Sequence, residues 1–243
     1  TTADYLLQVN NLCTPKLKEI SFGVKRGEIV GFYGLVGAGK TELARAIYGV
    51  DPYTGEITFK GRQLEQAPDQ VLRRGIAMVP EERRSQGLFT ILTIRHNIPV
   101  MNMSKISNPA GFINAQKEMD AAVAYIAKMK IVTNSTEKEV AKLSGGNQQK
   151  VVFSKCLFAD ADLLILDEPT RGVDVGAKSE IYTIIRQLSA EGKAIIFCSS
   201  ELPEILNMCD RIFLLYDGHV KAELVNNQAI DSEQIIHLVT GGE

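Results

Sequence analysis

Three short segments hold residue types suited to phosphate chemistry. The first is Gly34-Leu35-Val36-Gly37-Ala38-Gly39-Lys40-Thr41, a Gly-x-x-x-x-Gly-Lys-Thr run. It follows a short apolar stretch, Glu28 to Phe32, and opens a helical pattern, Thr41 to Tyr48. That is the context such a loop requires. Glycines let the backbone curl until its N–H groups point inward at phosphate oxygens. The start of a helix adds positive potential at the same spot. Lys40 supplies a mobile charge for β- and γ-phosphates, and Thr41 offers a hydroxyl to Mg²⁺.

The second segment is Leu163-Leu164-Ile165-Leu166-Asp167-Glu168. Its apolar residues predict a buried strand, and two carboxylates emerge at the C-terminal end, where open α/β sheets take ligands. Asp167 suits Mg²⁺ held through water; Glu168 suits a base that orients the attacking water. Alone, such a strand also reads as one whose acids cap the next helix. The third segment is Leu143-Ser144-Gly145-Gly146-Asn147-Gln148-Gln149-Lys150. Two glycines and a hydroxyl at a helix start gather free N–H groups, a dipole and a donor into an anion site. The plainer reading makes Ser144 an N-cap.

The elements that must position these segments follow from periodicity. Ile20, Phe22 and Val24 alternate, as do Ile57 and Phe59, which predicts half-buried strands. The stretch from about Gly87 to Phe158 reads as helical, with Met119, Val123, Ile126 and Met129 on one face as core. Leu163 to Leu166 and Ala194 to Cys198 read as strands buried on both faces, with a helix from Ser179 to Leu188 between them. Ile212 to Tyr216 and Val220 to Leu224 flank Asp217-Gly218-His219, a hairpin signal. Together they predict a parallel α/β core, an antiparallel β part near the N-terminus and an inserted helical part.

Composition limits the function classes. With 243 residues, 45% hydrophobic and 23% charged, the chain is ordinary globular protein with a real core. A net charge of −2 gives no bulk attraction to nucleic acid or anionic lipid. No apolar run is long enough for a transmembrane helix, and Thr1-Thr2-Ala3-Asp4 has no signal-peptide pattern. The missing initial Met is expected of an excised piece. Cys13, Cys156, Cys198 and Cys209 lack metal-ligand spacing and read as reduced, mostly buried thiols of a cytosolic protein. His96, His219 and His237 read as surface or structural. Arg73-Arg74 and Arg83-Arg84 read first as solvated helix ends and loop. The functional alternative sets Arg83 and Arg84 near a membrane partner or the opposite signature.

A Gly-rich phosphate loop, then Leu-Ser-Gly-Gly-Asn, then an apolar strand ending in Asp-Glu-Pro resembles the ATP-binding-cassette (ABC) ATPases. The likeness runs from about Leu6 to Thr240. It implies a single nucleotide-binding domain over residues 1–243, with a P-loop α/β fold and a helical subdomain at about 87–158. It also implies ATP and Mg²⁺ as cofactors, and a head-to-tail pair of cassettes. Ser144, Gly145, Gly146 and Asn147 would then serve the ATP held by the partner cassette, and Asp174 would link the two sites. Val79-Pro80-Glu81-Glu82-Arg83-Arg84, the stretch from Asp167 to Lys178, and Ser199-Ser200-Glu201-Leu202-Pro203-Glu204 narrow the likeness. They are similar to the second half of the tandem ATPase subunit of ribose-, galactose- and xylose-type sugar importers. That implies a second cassette in the same chain, transmembrane permease subunits reached through about Gly87 to Asn97, and indirectly a sugar-binding protein. It places the chain peripherally at the cytoplasmic face of a bacterial membrane, with no nucleic-acid partner.

Departures from the family pattern carry content. Glu81 stands where the family has Gln, keeping an acceptor, losing a donor and adding negative charge beside the γ-phosphate. Ser200 stands where the family has a histidine, which removes part of the electrostatic stabilisation. The loop Cys13-Thr14-Pro15-Lys16 lacks the family's adenine-stacking aromatic. The expectation is a nucleotide site of its own that is slow, and a signature that completes the partner's site. Two alternatives are a non-hydrolysing regulatory nucleotide module and a soluble cassette ATPase acting on DNA or the ribosome.

Overall fold

In the computed structural model, residues 5–226 and 232–242 are described; Thr1 to Asp4, read above for a signal peptide, lie outside them. The first five strands are β1 (Tyr5–Cys13), β2 (Ile20–Lys25), β3 (Ile29–Tyr33), β4 (Thr54–Phe59) and β5 (Arg62–Gln63). Alternation puts Leu7 and Val9 inside against Phe59 and Ile57, and the strands form an antiparallel sheet in the order β2-β1-β4-β5. β3, buried along its whole length, leaves that sheet for another.

The second sheet takes β6 (Ile76–Val79), β7 (Leu163–Asp167), β8 (Ala194–Ser199), β9 (Arg211–Tyr216) and β10 (His219–Val225) in the order β10-β9-β3-β8-β7-β6. β9, β3, β8 and β7 pair in parallel; β10 turns back antiparallel through Asp217 and Gly218. Both turn residues have positive φ, 44° and 78°, as a two-residue hairpin demands. One apolar cluster joins both sheets to α1 (Lys40–Ile47). Phe22, Phe32 and Phe213 form its aromatic centre, with Phe32 and Phe213 stacked at 5.1 Å. Burying each such ring stabilises the fold by roughly 1.5–3 kcal/mol.

The chain divides into two compact units. The first holds the residues up to Met78, Asp162–Pro169 and those from Arg186 onward; it contains both sheets apart from Val79, the last residue of β6. The second holds Val79–Ala161 and Thr170–Ile185, and so takes residues that the sequence reading assigned to the α/β core. Its α-helices are α3 (Ile94–Asn97), α4 (Ala115–Lys128), α5 (Gly145–Phe158) and the start of α6 (Val175–Ala190), with 3-10 turns at Ile98–Lys105 and Val140–Lys142 and a π turn at Arg83–Gly87; α2 (Pro68–Arg73), α7 (Leu202–Met208) and α8 (Ser232–Val239) belong to the first unit. Buried Asn97 ties the loop before α3, accepting from the Phe89 N–H and donating to the carbonyls of Phe89 and Thr93.

The apolar stripe expected on α4 is corrected. The buried helical positions are Glu118 and Ala122, followed by Met129 just past the helix end; Val123 is 54% exposed, and Met119 and Ile126 are half-buried. The inward face is rotated by about one residue, or 100°. The cause is an ion pair: Arg95 lies 3.2 Å from Glu118, so a carboxylate goes inside where an apolar residue was expected. The four cysteines are free thiols, all but Cys13 buried. Among the described residues no helix is long and apolar enough to cross a membrane.

Candidate functional site

The Gly-rich loop links the end of β3 to α1. Gly34 has no room for a side chain, because a Cβ there would lie 2.5 Å from the Leu215 carbonyl oxygen and 2.8 Å from the Ala38 Cβ. Gly37 (φ 82°) faces open space, and Gly39 (φ 113°) caps α1 in the left-handed region. The hairpin turn braces the loop: the Gly218 N–H donates to the Ala38 carbonyl at 2.9 Å. The first amides of α1 have no acceptor within the helix and remain available to an anion. Lys40 is buried, and its ammonium donates to the carbonyls of Gly34 (2.6 Å) and Leu35 (3.2 Å). Leu35 and Val36 form the exposed crest.

β7 delivers the acids from two strands away, with β8 between it and β3. Asp167 is 1% exposed, and neither of its carboxylate oxygens has a hydrogen-bond partner. Burial pushes its pKa up to about 6; nearby Thr41 draws it down in part without a bond of ordinary geometry, and Glu168 pushes it up further. Glu168 sits at φ 46°, its N–H donating to the Cys198 carbonyl at 2.9 Å. Its Oε1 lies 3.7 Å from Lys40 Nζ. Burial raises its pKa, offset by Lys40 and then by hydrogen bonds from Ser200. In the first unit the structure therefore gathers residues 34–41, Asp167, Glu168 and Ser200.

These residues fit a magnesium nucleotide. Two unpartnered buried carboxylate oxygens near a threonine hydroxyl form a hard oxygen donor set. The loop has the helix-start amides and the lysine that phosphates require. The short loop over residues 13–16 adds no aromatic. Its hollow of about 260 Å³ is lined by Cys13, Thr14, Pro15, Pro52, Tyr53 and Thr54, and the Tyr53 ring packs against the core.

The remaining expected site residues lie in the second unit. Ser144 caps α5, accepting from the Asn147 N–H (3.4 Å) and the Asn147 side-chain amide (2.9 Å). Both the N-cap and the anion readings suit it, since its own proton stays free to donate. Gly146 packs against α6, where a Cβ would lie 2.5 Å from that of Ala177. Asp174 caps α6 by accepting from the Ala177 N–H at 2.9 Å. Glu81 is ion-paired with Arg171, which offsets the negative charge assigned to it from sequence.

The plain reading of the arginine pairs is corrected at Arg83. Its Nη1 and Nη2 donate to the carbonyls of Arg171 (2.6 Å) and Gly172 (3.0 Å), and its Nε is buried. Arg73 stays exposed, while Arg74 donates to the Phe59 carbonyl at 3.2 Å. The sequence singles out the Arg83-Arg84 pair but not these contacts, because the carbonyl partners are 88 and 89 positions away.

Residues 17–171 match the sequence profile described as ABC transporter. The chain belongs to the ABC transporter family. The cassette is 44% identical over 245 residues to the ribose import ATP-binding protein RbsA of Geobacillus kaustophilus, spanning all of this chain and 49% of that protein. It is 41% identical over 233 residues to the xylose import ATP-binding protein XylG of Yersinia pestis, spanning 91% of this chain and 46% of that protein. The chain thus spans about half the length of the curated relatives it matches. Its fold is that of a nucleotide-free ATP-binding cassette from an ABC transporter, with TM-score 0.83 at 20% identity over 98% of this chain and all of the other. A dimeric cassette bound to ADP and Pi matches with TM-score 0.76 at 21% identity, over 91% of this chain and 99% of the other.

Proposed function

We propose that the cassette binds Mg-ATP and hydrolyses it to energise import of a monosaccharide of the ribose or xylose kind. The observation that carries the reading is the meeting of Lys40, Asp167 and Glu168 at the Gly-rich loop, with Asp167 buried and unpartnered. Residues 34–41 hold the phosphates through backbone amides and Lys40. Thr41 and Asp167 hold Mg²⁺, which when bound neutralises charge on the phosphates. Glu168 orients the attacking water and takes its proton; its raised pKa brings it closer to operating pH, where a general base works best. The likeness to ribose and xylose import ATP-binding proteins supports the sugar class.

In the same reading Ser144, Gly145, Gly146 and Asn147 close over ATP held by a second cassette, the other half of a longer chain. Permease subunits carry the sugar, a sugar-binding protein delivers it, and the cassette works at the cytoplasmic membrane face. Its own site is slow because Ser200 replaces a stronger electrostatic donor. Steady-state hydrolysis of Mg-ATP by this chain across protein concentration tests the reading, with Lys40→Ala as background. Turnover rising faster than linearly with protein is expected for paired copies. Loss of nucleotide binding in the unaltered chain would overturn the reading. Binding without turnover above background would favour the regulatory module instead.

A further inference from the structure

We infer that Arg83 is a positioning residue that locks the signature glycine and the segment leading to Asp174 into one rigid piece; its catalytic consequence rests on the ATPase reading above. The guanidinium is seated between two glycines. A Cβ at Gly145 would lie 2.9 Å from Arg83 Nη2 and 3.1 Å from the Gly172 carbonyl oxygen. At Gly172 (φ 64°) a Cβ would lie 3.7 Å from both terminal nitrogens. The planar fork spans two consecutive carbonyls, those of Arg171 and Gly172, which one ammonium does not do in a fixed plane.

The lock is doubled. Arg83 holds the backbone of residues 171–172, while Glu81, two positions earlier, holds the Arg171 side chain. Arg84 reaches α5 through Gln148 at 3.3 Å, so the strip from Glu81 to Arg84 touches both partners. Gly145 therefore has a role within its own chain: it leaves the space in which the guanidinium sits. Glu81, a departure from the family pattern, is part of the clasp.

Amide hydrogen exchange on the chain tests this with Arg83→Met, which keeps an apolar stem, and Arg83→Lys, which keeps the charge. Both variants should speed exchange about tenfold over residues 144–148 and 170–176 and leave residues 34–41 unchanged. Arg171→Glu should do the same over 170–176, and Glu81→Lys added to it should restore slow exchange. Unchanged exchange over 170–176 overturns the inference, as does faster exchange over the whole chain. Turnover should show kcat about tenfold lower with KM for ATP unchanged; an unchanged kcat overturns the catalytic consequence. Binding of a fluorescent ATP analogue to the unaltered chain separates the two ideas, since its failure removes the ATPase reading and leaves the exchange result standing.

Discussion

The two units assemble anion-directed groups in opposite ways. In the first, the Asp167 carboxylate is left under-partnered, buried with neither oxygen hydrogen-bonded, while Glu168 beside it keeps Lys40 at 3.7 Å and hydrogen bonds from Ser200. In the second, charge is spent on structure. Arg83 is bound to two carbonyls, Arg171 to Glu81, Lys150 to Glu180 and the Lys130 carbonyl, and Lys155 to the Gly87 carbonyl. Under-partnered buried charge raises the free energy of the fold and leaves its groups available to chemistry. Charge held on carbonyls and in ion pairs makes a stiff frame, although the buried Nε of Arg83 is itself without a hydrogen-bond partner. The first unit is thus suited to reacting and the second to presenting the helix end capped by Ser144.

The largest test of that contrast is functional. In the paired protein, Ser144→Arg should lower turnover by roughly 10²-fold or more, by filling the face presented to the partner's nucleotide. Lys40→Ala should lower it less, on the proposal above that the site it disables is the slow one. Steady-state turnover of both variants decides the matter, and a Lys40→Ala null beside a normal Ser144→Arg would break the asymmetry.

The next test concerns stability. Burial raises the Asp167 pKa from 3.8 to about 6, so the folded state binds its proton more tightly than the unfolded state. Stability therefore falls as pH rises between those values, by about 3 kcal/mol. Asp167→Asn, which cannot ionise, should raise the urea midpoint above pH 6 and change it little near pH 4. An equal effect at both pH values would show that Asp167 is not the strained charge described.

The smallest expected effect sharpens the second unit. Val123→Lys should change stability by less than about 0.5 kcal/mol, since that side chain already faces solvent. Glu118→Ala should cost about 1–3 kcal/mol, because Arg95 then loses its buried carboxylate partner and keeps the more exposed Glu137. Urea unfolding of both variants checks the face assignment, and a larger loss for Val123→Lys would restore the apolar stripe.

That stripe shows where the sequence stops being legible. Helical spacing revealed α4 as a helix, but its inward face depended on Arg95, which comes from another element. Lys150 and Lys155 on α5 are buried for the same reason, each having a distant carbonyl to meet. Strands were easier to read: β7 and β8 are buried on both faces, so their apolar runs need no partner to be recognised.

The sequence by itself determined the Gly-rich loop, the acid pair, the signature run and the strand-loop-helix order around them. Those are local patterns, set by glycine geometry, helix starts and apolar periodicity within a few residues. Only the tertiary structure decided that Asp167 lies buried and unpartnered, that Glu81 is neutralised by Arg171, and that Arg83 sits between Gly145 and Gly172. A side chain's burial and charge balance depend on groups that folding brings from far along the chain.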